Sequence, residues 1–168
     1  MKVLILAMLI AISITVNCQT YYIVRHAEKA QPGSGIVMTT PDNPPLSNRG
    51  EERAILLKDL LKDKHIRYIF STNTLRTKST AKPLSAATGV KIKIYDKPDK
   101  AFIKMLKALH NNTLIVGHSD TVDDIVNALC NTENVHGDLP DSQYDNLYVV
   151  KIAGKKVSFQ AMKYGKPS

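Results

Sequence analysis

Three short apolar runs, each ending in a cluster of polar and charged residues, constrain this chain more than any other feature. Tyr21 to Val24 leads into Arg25-His26-Ala27-Glu28, Tyr68 to Phe70 leads into Ser71-Thr72 with Arg76 close behind, and Leu114 to Val116 leads into Gly117-His118-Ser119-Asp120. Runs that do not alternate are strands buried on both faces, as in a parallel sheet covered by helices. A chain of 168 residues, 43% hydrophobic and 23% charged, has room for one such sheet and its helices but not for two catalytic domains.

The segments between the runs carry helical periodicity. Leu46-Ser47-Asn48-Arg49-Gly50 opens a helix with Ala54, Leu56, Leu57, Leu60 and Leu61 on its apolar side and Lys58, Asp59, Lys62 and Asp63 opposite. A second helix is predicted from about Leu75 to Thr88, stopped by Gly89, and a third from Pro98 through Leu109. The fourth is placed from Ser119, with Asp120 as its N-cap and Asp123 completing a capping box. Lys91 to Tyr95 alternates like an edge strand, and Leu147–Ile152 with Val157–Met162 reads as a hairpin. Strand and helix alternate, so the expected class is α/β: a single-domain, three-layer α/β/α sandwich with a mostly parallel sheet. Gln31 to Pro45 is loop.

The first eighteen residues are a different material. Lys2 is followed by an unbroken apolar stretch from Val3 to Ile12, too short to span a bilayer, and then by the polar change at Asn17, Cys18 and Gln19. This is the build of a secretory signal peptide over residues 1–18, with the folded domain over 19–168. Its removal takes Lys2 and leaves 22 basic against 15 acidic residues, a net charge of +7. The expected location is periplasmic or secreted, and lipidation of Cys18 is the competing expectation, disfavoured by Asn17 in the preceding position. Without Cys18 the chain keeps only Cys130, which is expected to be buried in a helix as a small apolar residue.

In an open α/β sheet, ligands lie beyond the carboxyl ends of the strands. Two arginines and two histidines, Arg25, His26, Arg76 and His118, follow three separate runs to that rim. Arginine forks hold the equatorial oxygens of a phosphoryl group, and an imidazole in line with the leaving group can attack phosphorus. His26 is the candidate nucleophile, reacting as neutral imidazole with its other ring nitrogen held by an acceptor. Arg25, Arg76 and His118 are expected to bind phosphate with Ser119, His118 as a protonated partner. Nothing in the sequence has metal-ligand spacing, and neither metal nor organic cofactor is expected. The basic excess lacks interleaved aromatics, with no Trp and three Phe, which argues against a nucleic-acid face. His65, His110 and His136 lack comparable company and read as surface residues.

The pattern Arg25-His26-Ala27-Glu28, Leu46-Ser47-x-x-Gly50, Ser71-x-x-x-x-Arg76-Thr77 and Val116-Gly117-His118-Ser119 resembles the histidine phosphatase superfamily, whose members include phosphoglycerate mutase-like enzymes. The resemblance implies the phosphoglycerate mutase-like fold, a phosphohistidine on His26 and a phosphorylated small molecule or phosphoprotein as substrate. It leaves open a mutase-like phosphotransferase or a non-catalytic anion-binding protein. Two departures stand out: Ala27 replaces the glycine common after the first histidine, and Ser119 separates His118 from Asp120. The general acid is open among Asp96, Asp99, Asp120 and Glu28. Asp96 is preferred because it follows a strand end and sits where mutase-like relatives place their acid.

Overall fold

The computed structural model describes residues 18–36 and 42–168, so the expected signal peptide falls outside it except for Cys18, and so does the middle of the loop from Gln31 to Pro45. Chain order is β1 (Cys18–Arg25), α1 (Asn48–Leu61), β2 (Tyr68–Ser71), α2 (Leu75–Thr88), β3 (Ile92–Ile94), α3 (Lys100–Lys107), β4 (Thr113–Gly117), α4 (Val122–Cys130), β5 (Asn146–Ala153) and β6 (Lys156–Lys163). The strands form one sheet in the order β3-β2-β4-β1-β5-β6. The pairs β3/β2, β2/β4 and β4/β1 are parallel, while β5 runs antiparallel to β1 and β6 to β5.

Alternation along the strands sends side chains to two cores. Tyr21, Ile23, Phe70 and Ile115 pack with Leu106 of α3 and Ile125, Val126 and Leu129 of α4. Val24, Ile69, Leu114 and Val116 face the other way onto Leu57 and Leu61 of α1 and Ala81 and Leu84 of α2. The result is a three-layer mixed α/β domain with a six-stranded sheet and four helices among the described residues. Cys130 is buried on α4, and burial pushes its thiol pKa up.

Two helices depart from the sequence reading. In α1 the buried positions are Gly50, Arg53, Ala54, Leu57 and Leu61, whereas Leu56 and Leu60 are exposed. The helix is rotated because Arg53 is drawn inward by Glu28, to which its Nε and Nη2 donate at 2.9 and 2.7 Å. The fourth helix begins at Val122, later than expected, with Thr121 and not Asp120 as its N-cap; Asp120 is exposed. The Thr121 hydroxyl makes no cap bond to the helix because it accepts the backbone N–H of His118 at 2.8 Å.

The start of α1 lies against the chain that leaves β1. Ser47 caps the helix, accepting from the Gly50 N–H at 3.1 Å, and a side chain at Gly50 would collide with the Glu28 carbonyl. Gly50→Ala is therefore expected to lower stability by about 2 kcal/mol or more, read as a fall in the urea midpoint with unchanged slope; an unchanged midpoint would mean the two segments separate at no cost.

Candidate active site

The three runs that ended in chemistry are neighbours in the sheet, in the order β2-β4-β1. Arg25 is paired with Gly117, and the next residue extends the ladder, the His26 N–H donating to the Gly117 carbonyl at 2.9 Å. His26 and His118 thus emerge from adjacent strands at the same end, their ring centroids 5.4 Å apart and nearly perpendicular. Gly117 leaves room for the turn that follows, since a Cβ there would lie 2.7 Å from the Thr121 hydroxyl and 2.9 Å from that of Tyr95.

His26 is buried, and its Nδ1 lies 2.8 Å from the Ala27 carbonyl. A carbonyl only accepts, so Nδ1 carries the proton and Nε2 keeps a lone pair. Arg76 Nε donates to that Nε2 at 3.2 Å. Burial, and then the charges of Arg25, Arg76 and His118, bring the His26 pKa down to about 3, outweighing the Ala27 carbonyl. The imidazole is therefore neutral at ordinary pH, with its lone pair among guanidinium groups.

Arg76 sits in the first turn of α2, capped by Thr74. Thr80, one turn further on, donates to the Arg76 carbonyl at 2.8 Å and accepts the Ala27 N–H at 2.9 Å, tying α2 to the chain beyond His26. His118 Nε2 lies 2.8 Å from the Thr72 hydroxyl, which in turn donates to Thr77 at 3.1 Å. Since the Thr77 hydroxyl donates to the Thr72 carbonyl at 2.9 Å, Thr72 is left to accept from His118. Burial lowers the pKa of His118, and Arg76 lowers it further against the opposing charge of Asp120. In the free protein His118 is thus biased toward the neutral imidazole, whereas the sequence reading had it protonated.

Arg25 is buried, its guanidinium over the ring of Tyr144 at 4.4 Å from the centroid. Arg25 Nε and Arg76 Nη1 are both buried without a protein acceptor, although such donors are ordinarily paired. Ser119 is half-buried, its carbonyl accepting the Leu139 N–H at 2.9 Å.

The candidate acids are spread out. Glu28 is held by Arg53 and by Arg49 at 3.1 Å, and does not touch Arg25. Asp99 caps α3, accepting from the Phe102 N–H at 2.9 Å. Asp96 is exposed and lines a cavity with Phe70, Tyr95, Phe102 and Met105, without a hydrogen bond or ion pair to Arg25, His26, Arg76 or His118. Asp120 acts on His118 through its charge alone. Sequence reasoning missed Thr72, Thr80, Asp141 and Tyr144 as parts of the site. Thr80 had a legible cue, lying one helical turn from Arg76; Asp141 and Tyr144 lie in a loop with no periodicity.

The histidine phosphatase superfamily (branch 1) model matches residues 21–97, which hold Arg25, His26 and Arg76 in the arrangement just described. Over those residues the chain is similar to this superfamily. Solved structures extend the likeness over the fold. The protein histidine phosphatase SixA complexed with tungstate is 18% identical, with 86% of this chain and 96% of that one covered and a TM-score of 0.64. SixA from Agrobacterium tumefaciens is also 18% identical, with coverage of 88% and 98% and a TM-score of 0.60. A mycobacterial glucosyl-3-phosphoglycerate phosphatase is 12% identical, with coverage of 88% and 98% and a TM-score of 0.62. No curated protein sequence matches the chain.

The depressed pKa of His26 makes stability pH-dependent. In the unfolded chain the group titrates near ~6.5, and in the folded chain at about 3, so between these values the unfolded state binds the extra proton and stability falls as pH falls. Urea denaturation between about pH 7 and 5 should show wild type losing stability more steeply than His26→Gln, by at most about 1.4 kcal/mol per pH unit. Equal slopes would mean that the folded state accepts the proton.

Proposed function

We propose that this chain is an exported phosphatase that hydrolyses phosphomonoesters, or phosphoryl groups on protein, through a phosphohistidine on His26. The observation that carries this reading is the state of His26: neutral, its Nδ1 proton facing the Ala27 carbonyl and its Nε2 lone pair facing Arg76. The buried N–H groups of Arg25 and Arg76 that lack acceptors suit phosphoryl oxygens. Similar folds named as phosphatases, one of them complexed with tungstate, support it.

In the reaction the Nε2 lone pair forms an N–P bond while the P–O bond to the leaving group breaks, its electron pair departing with that oxygen. Water then attacks phosphorus, the N–P bond breaks, its pair returns to Nε2, and the proton of the water passes to phosphate or solvent. The arriving anion reverses the local field, so His118, neutral beforehand, takes up a proton and becomes a donor to phosphoryl oxygen. Asp96 is proposed as the acid that protonates the leaving oxygen, and Asp120 is the alternative because its charge already acts on His118. Glu28 and Asp99 are committed to Arg53 and to the α3 cap.

The test is phosphate release from aryl and alkyl phosphates. Wild type is expected to turn over, with inhibition by vanadate and an acid-labile phosphoryl adduct, and His26→Ala to lose about a thousand-fold or more with no adduct. Hydrolysis by that variant at near wild-type rate would dismiss His26 as the nucleophile. Aryl leaving groups depart without help, so Asp96→Asn should slow alkyl substrates by about a hundred-fold and aryl substrates little. The same contrast in Asp120→Asn instead would move the role there.

Export rests on the apolar stretch after Lys2 and the polar change before Gln19. No helix among the described residues is long and apolar enough to cross a membrane. Mass spectrometry of chain recovered outside the cytoplasm should find Gln19 at its N-terminus. A chain retaining residues 1–18 would refute cleavage, and a lipid on Cys18 would replace release with anchoring.

A further inference from the structure

Arg25 is held by a part of the chain more than a hundred residues away. Its Nη1 donates to the carbonyls of Pro140 at 2.8 Å and Gln143 at 3.3 Å, and its Nη2 to the Asp141 carboxylate at 2.9 Å. The ring of Tyr144, itself buried, packs against both the guanidinium and His26, 5.8 Å from the His26 centroid. The loop is anchored at both ends. Leu139 is buried and its N–H donates to Ser119, while the Gln143 N–H closes a turn onto Pro140 and the Tyr144 N–H donates to the Ser168 hydroxyl at 3.0 Å.

The contacts consume one edge of the guanidinium and leave the other. The Nη edge is committed to the loop, and the buried Nε–H has no protein acceptor. We propose that the loop from Pro140 to Tyr144 is a positioning element for the phosphate pocket, with Asp141 and Tyr144 holding Arg25 so that it turns the edge carrying the unpaired Nε–H toward the bound anion. Arg76, whose Nε is engaged by His26, meets the same anion through Nη1. The proposal rests on the phosphatase reading for the nature of the anion, but makes its own claim about the loop. A guanidinium fixed before the anion arrives loses little rotamer freedom on binding, which raises affinity without any added contact.

Positioning and plain electrostatics predict opposite signs for Asp141. As a mere negative charge beside the pocket it would repel phosphate, so its removal would tighten binding. As a positioning residue, its removal frees the Nη2 edge and weakens binding. The Asp141 side chain is 84% exposed, so its substitution spares the core.

The experiment is calorimetric titration with orthovanadate and inorganic phosphate, alongside KM and kcat for an aryl phosphate. Asp141→Ala and Tyr144→Leu are expected to raise both the Kd and KM by about ten-fold with kcat changed far less. Asp141→Asn keeps an acceptor for Nη2 and Tyr144→Phe keeps the ring, so both should bind within about three-fold of wild type. Tighter binding by Asp141→Ala or Asp141→Asn, or wild-type affinity in Asp141→Ala, would overturn the positioning role while leaving the phosphatase reading intact. Failure of wild type to bind either anion would instead remove the phosphate pocket itself.

Discussion

The pairing of β1 with β4 is the constraint on which the site depends. Two parallel strands place Arg25 opposite Gly117, and the His26 N–H continues the ladder past the strand ends onto the Gly117 carbonyl. That backbone bond sets where the imidazole of His26 begins, and the turn from Gly117 through Thr121 sets where that of His118 begins. Because β2 lies on the other side of β4, Thr72 arrives beside His118 and the start of α2 brings Arg76 to His26. Register, not any attraction among these groups, gathers them.

Gathering them is costly, since Arg25, Arg76 and two imidazoles crowd one small volume. The protein relieves this by keeping the imidazoles neutral: burial and the neighbouring guanidinium groups lower the pKa of both histidines. Arg25 is stabilised by carbonyl oxygens, the Asp141 carboxylate and the Tyr144 ring. Arg76 keeps a buried N–H without an acceptor. A site so short of negative charge has a large electrostatic incentive to take up a phosphoryl dianion, and a neutral, tautomer-locked His26 is what that dianion would meet.

The second ion-paired centre shows what surrounds such a site. Glu28 follows His26 by two residues, yet it faces away, into the forked guanidinium of Arg53. Arg53 in turn donates to the carbonyls of Tyr164 and Lys166, joining α1 and the C-terminal segment to the chain beyond β1. This cluster rotates α1 enough to leave Leu56 and Leu60 exposed. A helical wheel shows both as core leucines, because periodicity does not record that an arginine outcompetes them for the inward position.

The apolar runs, the helix punctuation at Ser47 and Gly89 and the order of the motifs were enough to place α/β layering and to bring Arg25, His26, Arg76 and His118 to one rim, because a fully buried strand must end where polar residues resume. Local pattern failed where a side chain's partner, near or far along the chain, is chosen by the fold and not by spacing. Thr121, not Asp120, stands at the N-cap position of α4, with its hydroxyl accepting the His118 amide and not an N–H of the helix, and Asp99 caps α3 by accepting the Phe102 N–H. The tautomer of His26, the Thr72 acceptor on His118 and the hold of residues 140–144 on Arg25 were decided only in three dimensions. Each depends on groups separated by between one residue and more than a hundred, at distances that sequence spacing does not encode.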